Sequence, residues 1–245
     1  MWKIRFHRMF QKVPQLRKYL PETALCNEAR LADYLDRYPA VYIKPDGGGR
    51  GKGVIKAWKK GNLIYYVKVK GDVQSVNSVK ELFLKLKLKK PVHIVQQAID
   101  LARINGRPFD IRVMMMRDRQ ERWNYIGMVA KVAGTKSIIT NVARGKGYVL
   151  PIDRALRESL GLSGSRIAKK KNEMIQVAEL CTRTHSKSRY DWQIGYDIAI
   201  DRKGKVWFIE TNPTVPAHSL FRSEPSVYRT MKQLAAFHKR KQKHV

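Results

Sequence analysis

The chain has 245 residues, enough for one large domain or two small ones with real hydrophobic cores. Apolar residues make up 43%, the share of an ordinary globular protein, which excludes disorder as the default state. The balance of 50 Lys+Arg against 20 Asp+Glu leaves a net charge of +30, spread along the chain. Such a field favours polyanionic partners (nucleic acid, anionic polymers, membrane surfaces or nucleotides) without choosing among them. Cys26 and Cys181 alone exclude a disulfide scaffold or a four-ligand zinc site. The N-terminus lacks the apolar stretch of a signal peptide, and no run approaches the roughly 20 apolar residues of a spanning helix. A soluble, intracellular protein is therefore expected.

In chain order, residues 1–38 read as two helical pieces broken by KYLPET at 18–23. Pro21 ends the first, and Thr23 caps the second, which carries Leu31 and Leu35 four apart. The stretch 41–54, VYIKPDGGGRGKGV, begins as a buried strand, because Val, Tyr and Ile suit a pleated surface. Five glycines then fall within seven positions, Gly47 to Gly53, too many for a helix or strand. Strands at Gly53–Trp58 and Leu63–Lys70 follow, joined by a turn at Lys60-Gly61-Asn62. Residues 76–89 read as a basic amphipathic helix with Val79, Leu82, Phe83 and Leu86 inward. Further strands are expected at 92–100, 109–117 and 123–133, then an irregular basic segment at 137–147. Helices near 152–160 and 165–186, a hairpin at 195–213 and a basic helix at about 225–240 complete the chain. Strands and helices interleave without strict βαβ alternation, so the fold class is α+β.

The glycine segment fits none of the common phosphate motifs. Gly51-Lys52 stands where a P-loop has Gly-Lys, but Asp46 replaces the first glycine and Gly53 the Ser/Thr. No start gives G-x-G-x-x-G, and neither H-R-D nor D-F-G occurs later. What remains is a lysine, Lys44, at the root of a glycine loop whose amides can turn toward an anion. An ordinary flexible hairpin loop is the plainer alternative.

In the last hairpin, Glu210 and Asn212 lie two apart and share a strand face. A two-residue turn at Lys203-Gly204 places Asp197 opposite Glu210, so that two carboxylates and an amide oxygen converge. Hard oxygen donors on a rigid sheet suit Mg²⁺. A three-residue turn with a glycine bulge shifts the register by one and separates them. The apolar alternation fits both. Arg112, Lys131 and Arg144 lie between loop and hairpin, beside strand ends or loops, and supply the basic cradle that a nucleoside triphosphate with Mg²⁺ requires.

The order of these motifs resembles the ATP-grasp superfamily, and within it the YheC/YheD-like group associated with bacterial endospore coats. The KYLPET-type segment, the KPDGG loop, the DIRV strand and the IETNP strand carry the likeness, which runs from Lys3 to Asn212. The resemblance implies two α+β subdomains clasping ATP. A glycine-loop subdomain at 40–96 is inserted between 1–39 and 97–220 of the larger one, and 221–245 is a basic C-terminal helix. It implies that Lys44 and Lys3 contact the nucleotide phosphates under Gly47, Gly48, Gly49 and Gly51. Gln96, Gln97, Ala98 and Ile99 resemble the hinge that reads adenine through backbone groups, and Asp110 the acid that holds ribose hydroxyls. Arg112, Asn141 and Arg144 resemble groups around the reacting phosphate, and Asp197, Glu210 and Asn212 match the metal triad for Mg²⁺, with Mn²⁺ as an alternative.

The chemistry so implied is carboxylate–amine ligation through an acyl phosphate, with an unidentified acceptor that includes anionic polymers and spore-coat components among its candidates. A bacterial cytoplasmic setting with a spore association follows from the same likeness. The α/β domain that commonly precedes this fold is expected to be absent, since nucleotide-binding residues begin at Lys3. Two other readings compete: a non-catalytic coat protein that kept the fold, and a nucleic-acid binder motivated by charge alone. The latter lacks a helix-turn-helix, RNP or zinc signature.

Overall fold

The chain folds into two antiparallel sheets with helices packed on them, described here by a computed structural model over residues 3–48, 51–69, 71–135, 137–138, 140, 146–185, 191–213 and 217–243. Helix α1 (Lys3–Gln11) buries Ile4, His7 and Phe10 along one face. Pro14 then opens the single turn α2 (Pro14–Arg17), so the first break falls before Pro21. Thr23 does not cap a helix; it begins a short strand, β1 (Thr23–Leu25). The cap of α3 (Glu28–Arg37) is Asn27, whose side-chain oxygen accepts the Arg30 amide at 2.8 Å.

Next come β2 (Val41–Pro45), β3 (Ile55–Lys60), β4 (Leu63–Lys68), β5 (Gln74–Val76), helix α4 (Val79–Lys85) and β6 (His93–Gln97). The helix expected at 76–89 is shorter because Ser78 caps its start and Lys87, at φ +52°, leaves helical space after its end. These strands form one sheet in the order β1-β6-β2-β3-β4-β5, which recruits Thr23–Leu25 from upstream of residue 40. Val41, Ile43, Ile55, Ala57, Ile64 and Tyr66 pack against Leu31, Leu35, Leu82 and Phe83 of α3 and α4. Strand alternation leaves Tyr42, Lys44 and Lys56 on the other face.

The second sheet contains β7 (Arg103–Ile104), β8 (Arg107–Arg117), β9 (Trp123–Val132) and β10 (Tyr148–Pro151). Helices α5 (Ile152–Leu160) and α6 (Gly164–His185) precede its last strands, β11 (Gln193–Ile200) and β12 (Val206–Asn212). The order is β10-β9-β8-β11-β12, with β7 on β8. Helices α1, α2, α5 and α6 cover one face, burying Phe10, Leu16, Leu156, Met174 and Val177 with Ile111, Val113 and Met115.

Helix α7 (Pro225–Lys243) covers part of the opposite face, over Met114, Met116, Val129 and Trp192. The Met114–Met116 run is therefore core packing, divided between two cores. Within this basic helix His238 turns inward: it is 3% exposed, stacks on Trp192 and pairs with the Arg117 carbonyl at 3.0 Å, while Lys239 to Gln242 are exposed.

Candidate nucleotide site

Beyond the cover of α7, the same face of the second sheet turns from apolar to ionic. Along β8, Met114 gives way to Arg112 and Asp110; along β9, Val129 gives way to Lys131. Register then sets these groups side by side: Asp110 opposite Lys131, Arg112 opposite Asp197, and Asp197 opposite Glu210. The result is a charged patch over four strands: Lys131 faces Asp110 and Arg112 faces Asp197, opposite charges that attract, while Asp197 also lies opposite the like-charged Glu210.

The last of these pairings comes from both registers that the sequence leaves open. Near the turn, Ile200 pairs with Val206 and the Asp201 amide donates to the Lys205 carbonyl at 3.0 Å, which closes a three-residue loop, Arg202-Lys203-Gly204, with Gly204 at φ +81°. A bulge between the Ile198↔Phe208 and Asp197↔Glu210 pairs then absorbs Ile209 and restores the alignment of the two acids.

Asp197 is the centre of the row. Its Oδ1 accepts Arg112 Nε and Lys131 Nζ, each at 2.8 Å, while Oδ2 accepts Arg112 Nη2 at 3.3 Å and Asn212 Nδ2 at 3.2 Å. Burial alone would raise its carboxyl; the two cations beside it hold it well below the usual carboxylate range. Asp110 differs. Burial raises its carboxyl against the pull of Lys131 at 3.0 Å, and its Oδ2 accepts the Thr140 hydroxyl at 2.5 Å. Asp110 is thus buried and engaged with both Lys131 and Thr140.

The first sheet supplies the facing wall. Lys44 Nζ donates to Gln96 Oε1 at 2.6 Å and lies over the Tyr42 ring, and burial lowers its pKa. Gln96 is fixed in turn by donating to Thr23 Oγ1 at 2.8 Å. Lys3, on α1, spans the two walls, donating to the Gly48 carbonyl at 2.9 Å and approaching Glu210 at 3.4 Å.

Lys3, His7, Thr23, Lys44, Gln96 and Glu210 are among the residues lining one cleft, whose walls bound about 600 Å³ when open solvent is counted. The space in it that water centres can occupy is about 60 Å³, room for a few waters. Gly48 is at its mouth with φ +77°, and Gly47 has open space around it. Gly51, also at positive φ, lies on the returning arm of the loop.

Gln97 ends the first sheet and β7 opens the second within six residues, so residues 97–99 lie at the crossing between the two walls. The Gln97 amide is bound to the Glu22 carbonyl at 2.9 Å and the Ala98 amide to the Ala40 carbonyl at 3.1 Å. Ile99 follows them in the crossing segment. Gly49, Asn141 and Arg144 lie outside the described residues.

Sequence reasoning missed Asp46, which is 1% exposed and accepts the Ile4 amide at 2.8 Å. An acid beside a glycine run, in a chain poor in acids, is the one signal that could have drawn attention to it, though it does not reveal the cap. It also missed Tyr42, whose hydroxyl donates to the Ile138 carbonyl at 2.9 Å and ties the two walls together. The spacing of Tyr42 and Lys44, two apart on a strand, puts both on the cleft face.

For a divalent cation the donor set is right in kind: two carboxylates and one amide, all hard and all on strands. Among the described residues no group of three or more His, Cys, Asp or Glu side chains is placed to hold a metal. Asp197, Glu210 and Asn212 thus offer at most two carboxylates and one amide oxygen, a donor set of the kind that suits a partial Mg²⁺ shell.

Two antiparallel sheets clasping a basic cleft, with a lysine under a glycine loop on one wall and an acid–amide strand on the other, define an ATP-grasp fold. A family model for YheC/D-like ATP-grasp proteins matches residues 1–239, and the chain belongs to that family. The endospore coat-associated protein YheD of Bacillus subtilis (strain 168) is 30% identical over 242 residues, covering 93% of this chain and 50% of that protein. YheC, also endospore coat-associated and from the same organism, is 23% identical over 220 residues, covering 84% of this chain and 58% of its own. The chain thus spans about half the length of the curated relatives it matches. Among the described residues no helix is long and apolar enough to cross a membrane.

Proposed function

We propose that this protein binds ATP with Mg²⁺, Mn²⁺ serving as an alternative, and joins a carboxylate to an amine through an acyl phosphate. One observation carries the reading: Lys3, Lys44, Arg112 and Lys131 converge on the hairpin bearing Asp197, Glu210 and Asn212 although the sequence scatters them over more than 200 residues. A substrate carboxylate oxygen would form a bond to the γ-phosphorus while the bond to the β–γ bridging oxygen breaks and ADP leaves. An amine nitrogen would then attack the acyl carbon, losing a proton as phosphate departs.

Lys3 and Lys44 would grip phosphates under the glycine loop, and Arg112 would offset charge on the transferring group through a fork that lysine cannot copy. Lys131, steadied by Asp110, adds a second cation there. Asp197, Glu210 and Asn212 would hold the metal, which supplies charge neutralisation at the phosphates. Asn141 and Arg144 keep the roles their resemblance assigns, near the reacting phosphate. The acceptor is unidentified; the names of the two relatives favour a component of the spore coat or an anionic polymer, with no specific nucleic acid.

Thermal melts with millimolar ATP, with and without Mg²⁺, test the reading, and stabilisation is expected with both present. No shift would sink it. A second reading, a nucleotide-binding coat protein without catalysis, is favoured by the full engagement of Asp197 with cations. ADP release driven by a carboxylate acceptor, and abolished by Glu210→Ala, decides for the enzyme.

A further inference from the structure

The groups proposed to grip phosphate are the same groups that hold the proposed metal ligands. Asp197 accepts four donated bonds, two from Arg112, one from Lys131 and one from Asn212, and a carboxylate has about four lone-pair sites. Its side chain is 11% exposed, so water cannot readily take the place of a lost partner. Glu210 lies 3.4 Å from Lys3, and Asn212 spends its amide nitrogen on Asp197. Around the row, four cations (Lys3, Lys44, Arg112, Lys131) face three carboxylates (Asp110, Asp197, Glu210). The cluster is already cationic. A divalent ion entering alone would both displace a bonded cation from Asp197 and add to a positive surplus at low dielectric.

We infer, resting on the nucleotide reading above, that Lys3, Arg112 and Lys131 mask the metal ligands, so that the protein takes up a divalent cation only together with a polyphosphate. Phosphate oxygens offer Arg112 and Lys131 charge-assisted bonds equivalent to those they make to Asp197. When the cations move to phosphate, lone pairs of Asp197 and Glu210 are released. The negative charge of the polyphosphate reverses the sign of the cluster at the same moment. The coupling is reciprocal: whatever factor the nucleotide adds to metal affinity, the metal adds to nucleotide affinity.

Mn²⁺ titration of the nucleotide-free protein, followed by the loss of the free-ion EPR signal, tests this without any turnover. Wild type is expected to show no saturable binding up to the millimolar range. Lys131→Met and Lys3→Ala are each expected to gain about tenfold or more, the usual scale for coupled sites. Lys131→Met leaves two buried carboxylates with fewer partners; should that variant fail to fold, Lys3→Ala, on a side chain nearer solvent, carries the test. Lys44→Met makes the same charge change without a bond to either acid, and a gain much smaller than that of Lys3→Ala is expected. Saturable Mn²⁺ binding by wild type, no gain in Lys3→Ala, or an equal gain in Lys44→Met would each overturn masking. These arms contain no nucleotide, so their outcome is separate from the ATP melt, whose failure would remove the functional reading instead.

Discussion

Asp46 joins three parts of the chain through one residue. Its carboxylate accepts the Ile4 amide at 2.8 Å, its carbonyl accepts the Lys3 amide at 3.3 Å, and its own amide donates to Val92 at 2.8 Å. The first amides of a helix have no partner within the helix, and a negative group there also meets the positive end of the dipole. Asp46 therefore caps α1 from 42 residues away and fixes the root of the glycine loop to the helix that presents Lys3. Sequence shows it merely as the residue that breaks a P-loop pattern, because a cap so distant leaves no local spacing to read. Asp46→Ala should lower stability by about 1–2 kcal/mol, the scale of a lost cap. The change should appear as a lower urea midpoint at unchanged slope, with Asp46→Asn, which keeps an acceptor oxygen, losing less. Equal losses in the two variants would mean that charge, not the hydrogen bond, holds the helix.

Elements differ in how far their own residues determine them. The long strands β8 and β9 and helix α6 carry enough alternation or periodicity to be read directly, and they lie where expected. Strands β1, β5 and β10 do not. Each has three or four residues of mixed character and exists because a neighbouring strand end offers unpaired backbone groups. The acidic hairpin lies between these extremes, since a bulge leaves the hydrophobic alternation almost unchanged while moving the acids into line.

The glycine loop poses the same question in a testable form. Gly53 has φ +74°, and a Cβ there would come within 2.8 Å of Pro45 Cγ. Gly47 has nothing within 4 Å of its Cβ position. Gly53→Ala should therefore cost about 1–2 kcal/mol in backbone strain alone, with further displacement where the loop returns to β3. Gly47→Ala should leave the unfolding midpoint nearly unchanged. Comparable midpoints for the two would show that loop conformation is not set at Gly53.

For the whole molecule, the sequence reveals the two ends of the site and their order but not their electrostatic state. The loop and the acid–amide strand each have a local signature; the pairing of Arg112 and Lys131 with Asp197 depends on register across strands that are distant in sequence. The same limit applies to the histidines, which show no spacing that assigns them a role. In the structure burial lowers the pKa of His7, His185 and His218 below the ordinary 6.5.

The sign of the consequence follows from proton counting. Between each lowered folded value and 6.5 the unfolded chain binds more protons than the native one, so stability rises with pH across that window and is lost as pH falls through it. One proton of difference amounts to about 1.4 kcal/mol per pH unit. Asp110, whose carboxyl is raised mainly by burial, works in the opposite direction, and general charge repulsion adds to the loss. Histidine variants separate these terms.

His218 contacts Gln193 Oε1 at 2.7 Å with Lys232 and Lys239 nearby, and His185 sits against the Phe6 ring, 3.8 Å from Asp191 with Arg5 nearby. Wild-type melting temperature should fall as pH is lowered from 7.5 to 5.5. His218→Asn, which keeps a polar partner for Gln193 without the titration, should flatten that fall, and adding His185→Asn should flatten it further. A double variant as acid-sensitive as wild type would show that these imidazoles accept protons in the native state as readily as in the unfolded one.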